Sequence, residues 1–189
     1  MSRLWFVRHG PTHAKAMIGW TDLPADLSDT AQIARLSAAL PAAPIVSSDL
    51  LRAVQTADAI KRPHRLRSDP RLREINFGDW DGKTFAQVEK TDPVLIRNYW
   101  ENPGDVAPPN GESWNDVRAR VNGAVDDYLA LGHDDLIIVA HFGVILTQVQ
   151  RALNISSYDT FSHKIENLSL TRIEVIGSEW STRSINQKL

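Results

Sequence analysis

Two short apolar runs, each followed within two residues by a histidine, constrain the fold of this chain more than any other feature. The runs are Leu4–Val7 and Leu136–Ala140, and neither contains a polar position. Continuous runs of this length and composition are typical of strands that are buried on both faces of a parallel sheet. Pro44–Ser47 is a weaker third example. The pattern therefore predicts a mostly parallel central sheet with helices on both sides.

Helical patterns lie between these runs. Ser28, Asp92 and Ser113 are suited to cap helices at their N-termini, and Pro93 suits the first helical position. The predicted helices run over Ala31–Leu40, Leu50–Ile60, Pro93–Trp100 and from Ser113 to a stop at Gly132, with a further one after His141.

The C-terminal part of the chain predicts a hairpin. Apolar and polar residues alternate over Thr171–Val175, and Gly177-Ser178 is a suitable two-residue turn into Trp180–Ile185. Asn102–Gly111 is rich in proline and glycine, and this composition predicts a loop, which we expect beside the functional site described below. We therefore expect a single α/β domain over residues 1–189, a three-layer sandwich whose mostly parallel sheet has an antiparallel edge strand.

Composition excludes several classes of protein. The 189 residues carry 21 Lys and Arg against 23 Asp and Glu, which gives no support to nucleic-acid binding through charge alone. The absence of cysteine excludes disulfides, Cys-ligated metals and a thiol nucleophile. The longest apolar stretch, Leu136–Leu146, is too short to cross a bilayer, and the N-terminus has no signal-peptide pattern. We expect a cytoplasmic protein with no membrane partner.

The carboxyl ends of the three predicted parallel strands carry the residues with the most chemistry. Arg8 and His9 follow the first strand, Arg52 lies about one helical turn beyond the second, and His141 follows the third. Ligands of open parallel sheets bind at this edge. Clustered cationic groups are costly unless an anion shares the site, and arginine forks fit phosphate oxygens. Because a neutral imidazole can attack phosphorus, the cluster predicts phosphoryl transfer.

The segment Arg8-His9-Gly10, placed after an apolar strand, resembles the signature of the histidine phosphatase superfamily, the phosphoglycerate mutase-like proteins. Four further segments agree with that family in order and spacing, and they are Ser47–Ala57, Leu72–Gly82, Gly111–Ser113 and Val139–Val144. The five segments lie in order between residues 8 and 144, and Leu72–Gly82 is similar to the segment that carries the catalytic acid in the phosphatase branch.

The resemblance implies hydrolysis of a small phosphorylated metabolite through a phosphohistidine, with no metal and no cofactor. His9 is the implied nucleophile, kept neutral by neighbouring guanidinium groups, and Glu74 the implied proton donor and later the base for water. Arg8, Arg52 and His141 are implied to bind the phosphoryl oxygens. The other implied substrate-binding residues are Gly10, Thr12, Lys15 and Phe142, the last through its backbone N–H. The oligomeric state is left open.

Several other residues are candidates for a metal site, for the acid or for the pocket. His9 and His13 have the spacing of a zinc pair, but that spacing works only on a helix, and Gly10-Pro11 directly after a strand argues against one. Glu112 and Asp81 are rival acids, although the resemblance implies that Glu112 braces a loop. His163 is the one other histidine kept as a candidate, and Trp20 and Trp100 are candidates for the mouth of the pocket.

The sequence also departs from the family pattern and leaves the activity open to alternatives. Lys15 stands where many relatives carry Asn, and Phe142 stands where Gly is frequent. Mutase-type phosphoryl transfer is the first alternative, disfavoured because the tail Asn186–Leu189 is too short to close the site against water. A regulatory phosphohistidine phosphatase or a module that only binds phosphorylated ligands is the second. Specificity is expected in the loops Pro11–Asp26, Asp79–Gly111 and Ser156–Asn167.

Overall fold

A computed structural model describes all of residues 1–189, with five strands and seven α-helices. The strands are β1 (Ser2–Arg8), β2 (Ile45–Ser47), β3 (Asp135–Ala140), β4 (Leu170–Ile176) and β5 (Glu179–Gln187). The helices are α1 (Thr30–Ala39), α2 (Leu51–Ile60), α3 (Phe85–Thr91), α4 (Pro93–Glu101), α5 (Trp114–Ala130), α6 (Phe142–Leu153) and α7 (Ser157–Thr160). Two single turns of 3-10 helix lie at Pro70–Leu72 and Gly78–Trp80.

All five strands form one sheet in the order β2-β3-β1-β4-β5. Strands β1, β2 and β3 are mutually parallel, whereas β4 is antiparallel to both β1 and β5. Because β4 is reversed relative to both of its neighbours, the other four strands point the same way. The predicted α/β architecture, a mostly parallel sheet with an antiparallel edge, is confirmed, and the hairpin turn lies at Gly177-Ser178 as predicted.

The two faces of the sheet are both covered by apolar side chains. Leu4 and Phe6 of β1 pack with α5 and α6 in one cluster, while Val7 packs with α1 and α2 in another. Strand β3 divides in the same way, with Ile138 in the first cluster and Ile137 in the second. Burial on both faces explains why these runs contain no polar position, since each such side chain stabilises the fold by about 1.5–3 kcal/mol. The single domain predicted for residues 1–189 stays a prediction, supported by this shared sheet.

The N-terminal cap of α5 is the predicted residue, whereas the N-terminal cap of α1 is not. Ser113 and Asp116 form the capping box that starts α5. The predicted cap of α1 at Ser28 is wrong: the helix begins one residue later than that cap requires, and the Asp29 carboxylate accepts the Gln32 N–H. Ser28 instead donates its own N–H to the side chain of Asp26, in the turn before the helix.

Helix α3 was not predicted. It has two turns, a capping box between Thr84 and Gln87, and only one buried residue, Val88, so it has almost no apolar periodicity to detect. None of the helices is long and apolar enough to cross a membrane. The cytoplasmic location stays a prediction.

Candidate active site

The carboxyl ends of β1, β2 and β3 bring the predicted cluster together. The rings of His9 and His141 lie 5.0 Å apart between centroids, at an interplanar angle of 58°. The charges of Arg8 and Arg52 both act on the pKa of His9, and that of Glu74 acts on the pKa of each arginine. Residues from four distant segments of the chain therefore share one site.

The ring of His9 is held in a defined tautomer. Its Nδ1 lies 2.6 Å from the backbone oxygen of Gly10, and since a carbonyl oxygen only accepts, Nδ1 donates and Nε2 keeps its lone pair. Burial, followed by the charges of Arg52 and Arg8, lowers the pKa of His9 to about 3. The neighbouring guanidiniums act as predicted, but burial has the larger effect. His9 is thus a neutral imidazole with an unprotonated Nε2 near neutral pH.

The backbone around His9 is fixed by residues to which the sequence analysis gave no role. Thr56 accepts the N–H of Gly10 through its hydroxyl at 2.9 Å, and the side-chain amide of Asn167 donates to the carbonyl of His9 at 2.8 Å. Thr56 lies inside the Ser47–Ala57 segment. Asn167 lies in a predicted specificity loop, and nothing in its local sequence connects it to a residue so far away along the chain.

Arg52 is buried and Arg8 is partly buried, and neither forms an ion pair with a carboxylate. Arg52 donates to the carbonyls of Gly19 at 2.7 Å and Thr21 at 2.9 Å, and Arg8 donates to that of Ile165 at 2.6 Å. Burial lowers the pKa of both groups, although arginine stays protonated in proteins. Two cations held away from solvent in whole or in part, with no ion pair to either, favour an anion in this site.

Glu74 is the buried acid of the cluster. Its Oε1 accepts the backbone N–H groups of Ile75 and Gly143, both at 3.0 Å, whereas Oε2 receives only a longer bond of 3.3 Å from Gly143. Burial raises the pKa of Glu74, although these N–H groups and the charges of Arg8 and Arg52 oppose the shift. Oε2 is therefore the oxygen best placed to carry a proton.

His141 is fully buried, and neither of its ring nitrogens has a hydrogen-bond partner within the chain. Burial, and then the neighbouring His9, lowers the pKa of His141 well below its usual value. Nε of Arg8 is likewise buried and unpartnered. Buried polar atoms without partners are rare in folded proteins, so these point to a ligand that completes the site.

The four predicted substrate-binding residues differ in how the structure places them. Gly10 follows His9 directly in the chain, and a Cβ atom at position 10 would come within 2.7 Å of Leu27. Phe142 opens α6, and its ring faces the guanidinium of Arg8 at 5.6 Å. The side chains of Thr12 and Lys15 make no hydrogen bond or ion pair within the chain, and Lys15 is exposed. Their contacts to substrate stay predictions.

The rival acids are both committed to backbone groups. Glu112 accepts the N–H of Asn76 at 2.9 Å and is paired with Arg120 at 2.8 Å, so it braces a loop as predicted. Asp81 accepts three consecutive N–H groups, at distances of 3.2, 2.8 and 3.1 Å, from the segment 19–21. This segment supplies the carbonyls that hold Arg52. Asp81 therefore holds the segment that binds Arg52, and the role of Glu74 as the acid stays a prediction.

A cavity of about 640 Å³ opens beside the cluster. Arg8, Phe142 and residues 161–167 line it, and the last of these include His163. Trp100 lines a neighbouring hollow of about 250 Å³ with Tyr158 and Phe161, while Trp20 donates its indole N–H to the carbonyl of Glu74. The exposed His13 is paired with Asp26 at 2.7 Å.

Comparisons with known proteins show the family to which the chain belongs. A sequence model of the histidine phosphatase superfamily (branch 1) matches residues 4–188. Glucosyl-3-phosphoglycerate phosphatase of Mycolicibacterium vanbaalenii is 37% identical over 161 residues, which cover 76% of this chain and 70% of that protein. The probable phosphoglycerate mutase GpmB of Proteus mirabilis is 27% identical over 189 residues, covering 95% of this chain and 88% of that protein.

The solved structure of Bacillus stearothermophilus YhfR matches with a TM-score of 0.90 and 29% identity, covering 100% of this chain and 98% of that one. Three longer mycobacterial relatives are 29% identical over 204 residues, and the chain spans about half of them, 54% of their length.

Proposed function

Because the chain is an enzyme of the histidine phosphatase superfamily (branch 1), we propose that it hydrolyses phosphomonoesters through a phosphohistidine formed on His9. The observation that carries the proposal is the unprotonated Nε2 of the buried His9 in a site with two arginines that form no ion pair. The phosphatase named among its relatives supports hydrolysis as the outcome. The proposed substrate is a small organic phosphate ester.

In the first step, the Nε2 lone pair of His9 attacks phosphorus in line with the bond to the leaving oxygen. As the P–O bond breaks, Glu74 transfers its proton to the departing oxygen, and the alcohol leaves. Arg8, Arg52 and His141 hold the three equatorial oxygens, where charge is spread in the transition state. The products of this step are the free alcohol and a phosphohistidine.

In the second step, water replaces the alcohol. The carboxylate of Glu74 takes a proton from the water as its oxygen attacks phosphorus, and the P–N bond breaks with its electron pair returning to Nε2 of His9. Inorganic phosphate is released, and both residues regain their starting protonation states. The charge that stabilises both steps comes from side chains of this chain, so EDTA is expected to leave the rate unchanged.

Rapid denaturation during turnover of a ³²P-labelled ester tests the nucleophile. We expect label on the unmodified protein and none on His9→Ala, which should also lose hydrolysis while remaining folded. His13→Ala removes a nearby exposed imidazole and is the matched control. Label trapped on His9→Ala would disprove the assignment of the nucleophile.

Mutase-type phosphoryl transfer is a second candidate, favoured by the likeness to GpmB over 95% of this chain. The two activities differ in whether water or a second hydroxyl receives the phosphoryl group. Assays of 3-phosphoglycerate with and without 2,3-bisphosphoglycerate separate them. Release of inorganic phosphate without isomerisation is the expected result, and isomerisation that depends on the bisphosphate would favour the mutase.

A further inference from the structure

We propose that Asn167 is a positioning residue for the nucleophile, and that its side-chain amide fixes the ring of His9 in the tautomer that attack on phosphorus requires. The amide donates to the backbone carbonyl of His9 at 2.8 Å, across 158 positions of the chain. The inference rests on the proposed reaction at His9. It adds to that reaction a residue that acts through the backbone and not on the reacting atoms.

The peptide group between His9 and Gly10 is held on both sides. Its N–H donates to the hydroxyl of Thr56 at 2.9 Å. Its carbonyl accepts the amide of Asn167. Because a peptide group is planar, a bond to its N–H and a bond to its carbonyl together fix the rotation of the whole group.

The ring of His9 depends on this peptide group through Gly10. Nδ1 of the ring donates to the carbonyl of Gly10 at 2.6 Å, and this bond leaves the lone pair on Nε2. Gly10 has no Cβ atom to restrict its dihedral angles, so its carbonyl is displaced when the preceding peptide rotates. Loss of the Asn167 bond would therefore release the Nδ1 proton from its acceptor and admit the tautomer that is protonated on Nε2. That tautomer has no lone pair on Nε2 to attack phosphorus.

The backbone next to Asn167 is in a conformation that its sequence does not favour. Leu168 has a φ of 56°, in the left-handed region, and is only 3% exposed. A bulky residue adopts this conformation only where the surrounding structure requires it, and such residues cluster at functional sites. The N–H of Leu168 donates to the carbonyl of Arg8 at 3.0 Å. Two successive residues, 167 and 168, are thus bonded to the carbonyls of His9 and Arg8.

A second asparagine holds the same loop and supplies a matched control. The side chain of Asn186, in β5, accepts the N–H of Glu166 at 2.6 Å and makes no hydrogen bond to His9. Asn186 has a φ of 56°, so Asn186→Gly removes the side chain while the backbone keeps its conformation. General loosening of the loop would affect the variants of Asn167 and Asn186 alike, whereas positioning of the ring depends on Asn167 alone.

Nitrogen-15 NMR of the histidine rings tests the inference without an assay of activity. At neutral pH we expect the His9 ring of the unmodified protein to carry its proton on Nδ1, the signal being identified by its loss in His9→Ala. Asn167→Leu keeps the branched shape of the side chain but has no N–H, and it should give a mixture of the two tautomers. Asn167→Gln, with its amide on a longer chain, should recover part of the original signal. Asn186→Gly should leave that signal unchanged.

Kinetics with p-nitrophenyl phosphate give a second readout. Asn167→Leu is expected to lower kcat by about tenfold, since a misplacement of about 1 Å can cost about 10²-fold in rate. Inhibition by inorganic phosphate should change little, because Arg8 and Arg52 keep their own bonds to backbone carbonyls. The loss therefore falls on kcat and not on binding.

The outcomes separate this inference from the proposed function. An unchanged tautomer or an unchanged kcat in Asn167→Leu, or a loss that Asn186→Gly shares, would overturn the inference and leave the phosphatase standing. If the unmodified protein formed no phosphohistidine although Asn167→Leu altered the tautomer, the proposed function would fail and the positioning of the ring would stand. A proton on Nε2 of His9 in the unmodified protein would count against both.

Discussion

At the scale of single residues, the carboxyl group of Glu74 lies so close to Gly143 that position 143 has no room for a side chain. A Cβ atom there would come within 2.6 Å of Oε1 of Glu74 and 2.8 Å of Cγ1 of Ile75. The same glycine donates its N–H to that carboxyl at 3.0 Å. The observed position of the Glu74 carboxyl group, the proposed acid, therefore requires a glycine at position 143.

Gly143→Ala is expected to lower turnover of alkyl phosphates by at least about tenfold, because the added methyl group displaces the carboxyl of Glu74 and general acid catalysis contributes about 10²–10⁴ in rate. Gly123→Ala, in the exposed face of α5, has open space around its new methyl group and should keep full activity. Steady-state kinetics on an alkyl phosphate measure the difference. Equal rates for the two variants would show that the position of Glu74 is not critical.

Glu74→Gln tests the acid directly, since an amide keeps the shape of the carboxyl group but cannot donate its proton to the leaving oxygen. We expect it to slow an alkyl phosphate far more than p-nitrophenyl phosphate, whose leaving group needs no proton. The two values of kcat, measured on one preparation, give the ratio. A loss that is the same for both esters would argue against the role of an acid.

The position of a residue in the sequence determined whether its place in the site could be predicted. Arg8, His9 and His141 were found because each directly follows an apolar strand, and the ends of parallel strands meet at one edge. Asn167 was given no role because its bond to His9 spans 158 positions of the chain. No local pattern records such a contact.

At the scale of elements, the segment 19–21 between β1 and α1 links two charged residues. Its N–H groups are held by Asp81, and the carbonyls of Gly19 and Thr21 hold the guanidinium of Arg52. The segment has no regular secondary structure, so its conformation depends on these bonds. Asp81 thereby positions Arg52 through the backbone.

Asp81→Ala is expected to reduce the kcat for p-nitrophenyl phosphate by about tenfold. Removal of one preorganised donor costs about 10²–10³ in kcat, and here the donor Arg52 is only displaced. Weaker inhibition by inorganic phosphate should accompany the loss, because Arg52 is no longer held. Asp81→Asn keeps one accepting oxygen and should recover part of the activity. Asp79→Ala, two residues away, is the control; if it lost as much activity, the effect would be general destabilisation.

Elements with strong periodicity were predicted, and those without it were not. The strands and α5 have continuous or helical apolar patterns that tertiary contacts reinforce. Helix α3 rests on the cap at Thr84 and on one buried side chain, Val88, so its sequence resembles that of a loop. The cap of α1 differed by one residue because Ser28 and Asp29 are both good caps and only the preceding turn decides between them.

At the scale of the whole molecule, the site makes stability depend on pH. Burial holds His9 and His141 neutral, so the unfolded chain takes up a proton on each below pH 6.5, while folded His9 takes up none until about pH 3. The unfolded state thus binds more protons, and the free energy of unfolding falls as the pH falls through this window. Glu74 has the opposite effect on the free energy of unfolding. Because its pKa is raised, it contributes stability that is present below pH 4.5 and is lost as the pH rises.

Urea denaturation at several values of pH between about 5 and 7 measures this slope, which changes by about 1.4 kcal/mol per pH unit for each proton. We expect His9→Ala to flatten the slope and Glu74→Gln to steepen it. His64→Ala, which removes an exposed imidazole, is the matched control. An unchanged slope in His9→Ala would contradict burial of the neutral ring.

The central place of β1 bears on how the protein is made. Of the five strands it leaves the ribosome first, yet both of its neighbours, β3 and β4, are translated only after most of the chain. Until then the N–H and C=O groups of both its edges and its apolar side chains have no partner, and such exposed segments are prone to aggregate and to bind chaperones. The hydrogen bond from Asn167 to the carbonyl of His9 also forms only after Asn167 has been translated. The site around His9 is therefore incomplete during most of translation.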